Sequence, residues 1–360
     1  MQLERCALLI LLTLGTAALA AGEDCEKAGR LVKQGVELAD GSSQEERAYR
    51  EALELCPPLA EAYYNLGVLL FKSGNKAEAG KQFTKAVELR ADPQFLVALG
   101  TFELERGAYE EARQAYERAL EADSRRVDAL IGLSVAFEKM NLLDRAIEVL
   151  QRAERVDHSN AVVLYNMAAL HERMGNNEKA LQTYERATSA GPRQYEAFFQ
   201  LGLLYQKLGR PQDSVRVLNE AAVLSPDVAE IHKALGTAYE RLGDLDRAEL
   251  ALRKSVGLDP NDLNAQINLG VVLIGKKQEG LALEILNKVV AADASNSRAL
   301  SVLGWAQLEL GEYRAAEVSL KRALELDATN AIARNNLAVL YRRQGRNEEA
   351  KREIDASLGK

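Results

Sequence analysis

Gly270 to Lys277 reads GVVLIGKK, one residue away from the pattern G-x-x-x-x-G-K-[ST]. In that pattern backbone amides cradle phosphates, a lysine reaches the terminal one, and a hydroxyl holds the metal ion. Lys277 stands where the hydroxyl is required, and no strand leads into Gly270. Nucleotide binding is therefore not expected. The three histidines, His158, His171 and His232, are far apart, and His171-Glu172 lacks the second histidine of a zinc-protease helix. No Ser–His or Cys–His arrangement can be argued, so neither an enzyme, a cofactor nor a metal is expected. Two cysteines matter more. Cys25 and Cys56 are far enough apart for a helical hairpin, and a disulfide would join its ends.

That bond needs an oxidising compartment, and the N-terminus supplies a route to one. A head with one arginine precedes the apolar run Cys6 to Leu14, followed by small residues and Ala18-Leu19-Ala20. This is the layout of a secretory signal peptide cut after Ala20 or Ala21, which leaves only Cys25 and Cys56 in the mature chain. No later segment is apolar enough to span a membrane. The expected location is the periplasm or the exterior. A net charge of −7 argues against a nucleic-acid partner. Scarce proline (7) and aromatics (6%), with abundant Ala, Leu, Glu, Lys and Arg, favour helix.

The elements that position these residues repeat. One column reads Gly67, Gly100, Ser134, Ala168, Gly202, Gly236, Gly270, Gly304 and Ala338. A second reads Gly74, Gly107, Asn141, Gly175, Gly209, Gly243, Lys277, Gly311 and Gly345, and a third runs from Ala79 to Ala350. After a first step one residue shorter, the spacing is 34 residues throughout. Small residues in the first and third columns let two helices approach. Glycine in the second supplies the left-handed turn between them. One such pair cannot bury its apolar face, so each must stack on its neighbours. Lys277 replaces the turn glycine, so the first helix of that pair is expected to end differently, near Gly275.

Phe198, Leu201-Gly202, Tyr205, Gly209, Ser214, Leu218, Ala221 and Pro226 follow the pattern of the tetratricopeptide repeat, and Leu235-Gly236, Tyr239, Gly243, Ala248 and Pro260 follow it again. The chain resembles that family. The resemblance implies an all-α fold, a right-handed superhelical solenoid of about ten antiparallel helix pairs. Residues 1–21 form the signal peptide, 22–59 an irregular capping repeat, and 60–360 nine repeats. The polar last helix suits a solvent-facing cap.

The resemblance also implies a concave groove lined by the second, fifth, sixth, ninth, twelfth and thirteenth positions of each repeat. Those columns hold Tyr64, Phe71, Val97, Leu104, Ile131, Tyr165, Phe199, Leu203, Ile267, Val271, Ile274, Trp305 and Leu308. About half of them are expected to pack sideways against neighbouring repeats. Trp305, the only tryptophan, is a candidate binding anchor. Asn65, Asn166, Asn268 and Asn336 share the sixth position, where relatives bond a peptide backbone. Lys233, Asn268 and Arg298 fall on the family's carboxylate clamp, so Lys233 and Arg298 are candidate carboxylate contacts. Thr237 and Val302 break that pattern. The thirteenth column is mostly basic, which suits a helix C-terminus.

Two functions follow. The first is an exported scaffold that binds a protein segment in its groove and supports assembly of a pilus, secretion or cell-wall complex; self-association stays open. The alternative is an auxiliary subunit of an envelope glycan or polysaccharide enzyme. The aliphatic and amide lining favours peptide over glycan.

Overall fold

The computed structural model describes residues 23–191 and 194–357. The expected signal peptide, residues 1–21, lies outside them. Among the described residues there are twenty helices and no strand. Among the described residues the chain divides into two compact units with the boundary between Thr183 and Tyr184.

The first unit begins with an irregular pair, α1 (Glu23–Leu38) and α2 (Ser43–Leu55). Three regular pairs follow: α3 (Ala60–Lys72) with α4 (Lys76–Leu89), α5 (Pro93–Glu105) with α6 (Tyr109–Ala122), and α7 (Val127–Lys139) with α8 (Leu143–Val156). Helix α9 (Ala161–Arg173) follows, and α10 (Asn177–Ala190) carries the boundary between the units. The second unit contains α11 (Tyr195–Lys207), α12 (Pro211–Leu224), α13 (Ala229–Arg241), α14 (Leu245–Leu258), α15 (Leu263–Gly275), α16 (Glu279–Ala292), α17 (Ser297–Glu309), α18 (Tyr313–Leu326), α19 (Ala331–Arg343) and α20 (Asn347–Ser357). From α3 onward odd-numbered helices are the first members of their pairs (helix A) and even-numbered ones the second (helix B).

Three-residue turns close the pairs because their middle residue takes a left-handed conformation. Glycine does so at Gly74, Gly107, Gly175, Gly209, Gly243, Gly311 and Gly345, with φ between 71° and 85°. Asn141 and Lys277 do the same at φ 60°. The expected end of α15 at Gly275 holds, but the expected difference does not: every other helix A ends at the same position, because Lys277 accepts the left-handed turn. For a side chain with a Cβ that costs on the order of 1–2 kcal/mol.

Helix A meets helix B through a hole and a knob. Gly202, Gly236 and Gly304 leave room for Leu218, Leu252 and Leu320; a Cβ on any of these glycines would lie 2.4–2.5 Å from the leucine Cγ. All three leucines are fully buried. In the first unit the knobs are rings: Phe83 over Gly67 and Tyr116 over Gly100, each 2.9 Å from such a Cβ. Glycine inside a helix costs about 1 kcal/mol relative to alanine, so the close approach must outweigh that cost.

The first unit's opening pair is poor in apolar packing. Helix α1 buries only Ala28, Val32 and Gly35. A disulfide between Cys25 and Cys56, Cα atoms 4.9 Å apart, ties its start to the end of α2. At the turn between α1 and α2, the Glu45 carboxylate accepts from the Gly41 amide at 2.9 Å and the Tyr49 hydroxyl at 3.2 Å. Further along, Tyr64 stacks on Phe95 at 4.8 Å, and Phe71, Phe83 and Phe102 meet at 6.0–6.4 Å.

In the second unit tyrosines of helix A reach the preceding helix B. Tyr205 donates to Glu185 at 2.6 Å, and Tyr341 donates to Glu317 at 3.2 Å. Arginines cover the rings, Arg210 at 4.6 Å and Arg346 at 4.1 Å. Burial, reinforced by Glu185, pushes the Tyr205 hydroxyl up to about 12. Arg346 hydrogen bonds hold the Glu317 carboxyl down at about 2.

Candidate functional site

Along helix A the ninth position keeps part of its surface accessible. Val68, Thr101 and Val135 in the first unit are half-buried, as are Leu203, Thr237, Val271 and Trp305 in the second, and Val339 is exposed. Ile332, at the second position, is exposed as well. Val68, Val135 and Val339 are absent from the expected contacts, although the ninth column taken whole shows them, and Ile332 belongs to the second column.

Three of the expected contact residues do not face outward. Tyr64 (4% exposed), Ile274 (2%) and Leu308 (0%) are buried. Tyr64 is held by its stack on Phe95 and a hydrogen bond from Gln94 at 3.1 Å. Ile274 and Leu308 belong to apolar clusters of the second unit. Fifth- and twelfth-position side chains that are bulky and apolar fill the seam between neighbouring pairs, where they lose more water contact than on the surface. Tyr64, Ile274 and Leu308 are thus corrected to packing residues. Tyr165, Phe199, Val271 and Trp305 remain half-buried, with one side available.

The sixth-position asparagines differ between units. The amides of Asn65 and Asn166 are half-buried and make no hydrogen bond among the described residues. Asn268 is engaged on both sides. Its oxygen accepts from Arg298 Nη2 at 2.5 Å, and its Nδ2 donates to Thr237 Oγ1 at 3.4 Å. Thr237 in turn donates to the Lys233 carbonyl at 3.1 Å. Helices α13, α15 and α17 each supply part of this network.

Lys233 and Arg298, the two candidate carboxylate contacts, are in different states. Lys233 Nζ is paired with Asp262 at 2.6 Å, and Asp262 also caps α15 through the amides of Asn264 and Ala265 at 2.9 and 3.1 Å. Burial pushes the Asp262 carboxyl up, but Lys233 and the two amides outweigh it and leave it below the usual carboxylate value. Arg298 has no carboxylate within ion-pair distance among the described residues. Where it reaches back to α15, burial lowers its pKa against the opposing pull of Glu240. It remains a guanidinium with several unused donors. Trp305 lies two turns further on the same face of α17.

The basic thirteenth column does cap helix ends, but those of the preceding repeat. Arg241 donates to the Gln206 carbonyl at 2.7 Å and Arg343 to the Leu308 carbonyl at 3.2 Å. In the first unit Arg173 reaches the Glu138 carbonyl at 3.5 Å and its carboxylate at 3.0 Å. The histidines are local. His232 is buried, with Nε2 2.7 Å from the Pro226 carbonyl, and His158 Nδ1 contacts the Glu154 carbonyl. His171 Nδ1 is buried without a partner, and burial lowers its pKa. GVVLIGKK lies on α15 and the turn after it, with Gly270 against Leu286. No described helix is long and apolar enough to cross a membrane.

Profiles described as tetratricopeptide repeat match residues 61–92, 103–170, 165–229, 199–262, 241–306 and 307–359, and one described as TPR repeat matches 47–74. Among solved structures, PilF of Pseudomonas aeruginosa is 20% identical; the match covers 58% of this chain and 97% of PilF, with a TM-score of 0.51. YrrB, described as a TPR protein with an unusual peptide-binding site, is 25% identical over 52% of this chain and 97% of its own, with a TM-score of 0.48. MamA from Desulfovibrio magneticus RS-1 is 21% identical over 47% and 96%, with a TM-score of 0.45.

Proposed function

Because the chain belongs to the tetratricopeptide repeat family, we propose that it is an exported interaction scaffold that takes a segment of a partner protein along its helix-A face and supports assembly of an envelope complex. The observation that carries this reading is the Arg298–Asn268 pair, with Trp305 two turns further along the same face of α17. A guanidinium with unused donors gains by meeting a carboxylate, and a half-buried indole gains by covering an apolar side chain. The segment that fits carries an acidic group next to an apolar residue. Val271 and Phe199 extend the apolar surface, and the free amides of Asn65 and Asn166, with Tyr165 beside the latter, offer peptide-bond partners in the first unit. Pilus, secretion and cell-wall machinery are the candidate assemblies. The Cys25–Cys56 bond and the Ala18-Leu19-Ala20 pattern both support export.

The test is a crosslinked pull-down of the mature protein from its own envelope, against a Trp305→Ala, Asn268→Ala variant. Loss of one partner with the fold intact by circular dichroism is expected. Equal yield of every partner would overturn the site. N-terminal sequencing of the purified chain checks export separately: Ala21 or Gly22 is expected, and Met1 would overturn it.

A further inference from the structure

The pair α15–α16 departs from its neighbours in four ways. At its thirteenth position Gly275 stands where Arg241 and Arg343, one repeat before and two after, donate to the preceding helix A. The next repeat offers Glu309 there, and that carboxylate is paired with Arg343 at 3.1 Å. So neither the end of α13 nor the end of α15 receives such a side-chain donor. The turn after α15 uses Lys277 at φ 60° rather than glycine. A Cβ on Gly270 would lie 3.0 Å from Leu286, against 2.4–2.5 Å for the other glycine–leucine contacts of this unit, so knob and hole fit more loosely. Helix α16 buries Ala282, Leu286 and Val289, one residue fewer than α14 or α18.

The pair shares an apolar seam with its predecessor, to which Ile267 and Ile274 contribute, and the end of α15 adds an ionic link. Lys276 reaches Asp246 and, at 2.7 Å, Glu249 on α14. Asp246 is 87% exposed, so salt screens its part of the link.

We infer that α15–α16 is the adjustable repeat of the second unit, and that its movement resets the distance between Lys233 on one side and Arg298 on the other when a partner binds. Asn268, which joins the two sides through Thr237 and Arg298, sits on the moving element. A carboxylate that recruits Lys233 must first part it from Asp262, the cap of α15, so binding and movement are coupled. This consequence rests on the groove reading above; the mobility does not.

Amide hydrogen exchange on the mature free chain tests the mobility without any partner. Peptides from the last turns of α15 and from α16 should exchange at least about fivefold faster than their counterparts in α11–α12 and α17–α18, and faster still at high salt. Equal or slower exchange would overturn the inference. Gly275→Arg should supply the missing donor to the end of α13 and thereby tether the last turn of α15 to it. A Cβ there meets only the flexible Leu245 Cδ1 at 3.1 Å and Cδ2 at 3.7 Å. Gly275→Ala controls for helix propensity. Exchange at the α15 end should be about threefold slower in the arginine variant than in the alanine variant. If the two match, the missing donor is not the cause and the inference falls. Because no partner enters, failure here leaves the pull-down result untouched, and the reverse also holds.

Discussion

The two units use one 34-residue grid to make different surfaces and different interiors. In residues 23–183 the glycine holes receive Phe83 and Tyr116, and the sixth-position amides of Asn65 and Asn166 are unengaged. In residues 184–357 the holes receive leucines, and polar groups of α13, α15 and α17 are wired together through Asp262, Lys233, Thr237, Asn268 and Arg298. The lesson concerns readiness. Free amides offer their hydrogen bonds as they stand, whereas a connected network must exchange internal bonds for external ones, which lowers the net gain but sharpens selection.

The largest expected difference lies in the opening pair. Reducing the Cys25–Cys56 bond, or replacing both residues by serine, should destabilise the first unit by about 3–4 kcal/mol and leave the second unchanged, by urea unfolding read in each unit. A thiol titration that finds two free thiols in the oxidised protein would remove the premise.

Next comes the hole. Gly236→Ala drives a Cβ to 2.4 Å from the branch point of Leu252. Overpacking of about 2–3 kcal/mol, less about 1 kcal/mol returned by alanine's helix propensity, leaves a loss of about 1–2 kcal/mol. Gly67→Ala presses on the Phe83 ring at 2.9 Å and should cost about half as much. If both cost the same in matched denaturation curves, ring and branched knobs are equivalent and the contrast between the interiors fails.

Smaller is the turn. Lys277→Gly should stabilise by about 0.5–1 kcal/mol, because the relief of the left-handed side chain exceeds the entropy that glycine adds to the unfolded chain. A melting temperature that stays or falls would contradict the strain assigned to that turn.

The smallest effect is in pH. Glu317 and Glu110 are both held down at about 2, by Arg346 and Arg113 respectively. A carboxylate with a lowered folded pKa adds stability that is complete above its unfolded value near 4.5 and is lost as pH falls toward 2. Glu317 also accepts from Tyr341, whereas the Glu110 pair lies open to solvent and is screened. Glu317→Gln should flatten the acid limb between pH 4.5 and 2, and Glu110→Gln should hardly change it. Equal flattening would mean that both pairs are surface pairs in effect.

The fold was legible because its period is written in backbone requirements. The glycines from Gly74 to Gly345 mark where the chain must turn left, and the small residues at Gly202, Gly236 and Gly304 mark where helices touch. Lys277 misled because a left-handed turn favours glycine without demanding it. The binding face was less legible. A column assigns a side chain to a direction but not to a depth, so Tyr64, Ile274 and Leu308 were placed on a surface that their neighbours cover. Asp262 was invisible as the partner of Lys233, since it lies outside the columns that line the groove and acts as a helix cap. Trp305 kept one side open, but the sequence offered no way to tell it from Leu308 three residues on.

The arginines that reach backward along the second unit change what counts as one module. Arg241 and Arg343 each complete a helix that belongs to the repeat before their own. A helix pair cut out at its sequence boundaries would therefore leave behind the donor that finishes its first helix. Anyone grafting repeats from this chain should carry over the pair together with the helix that follows it.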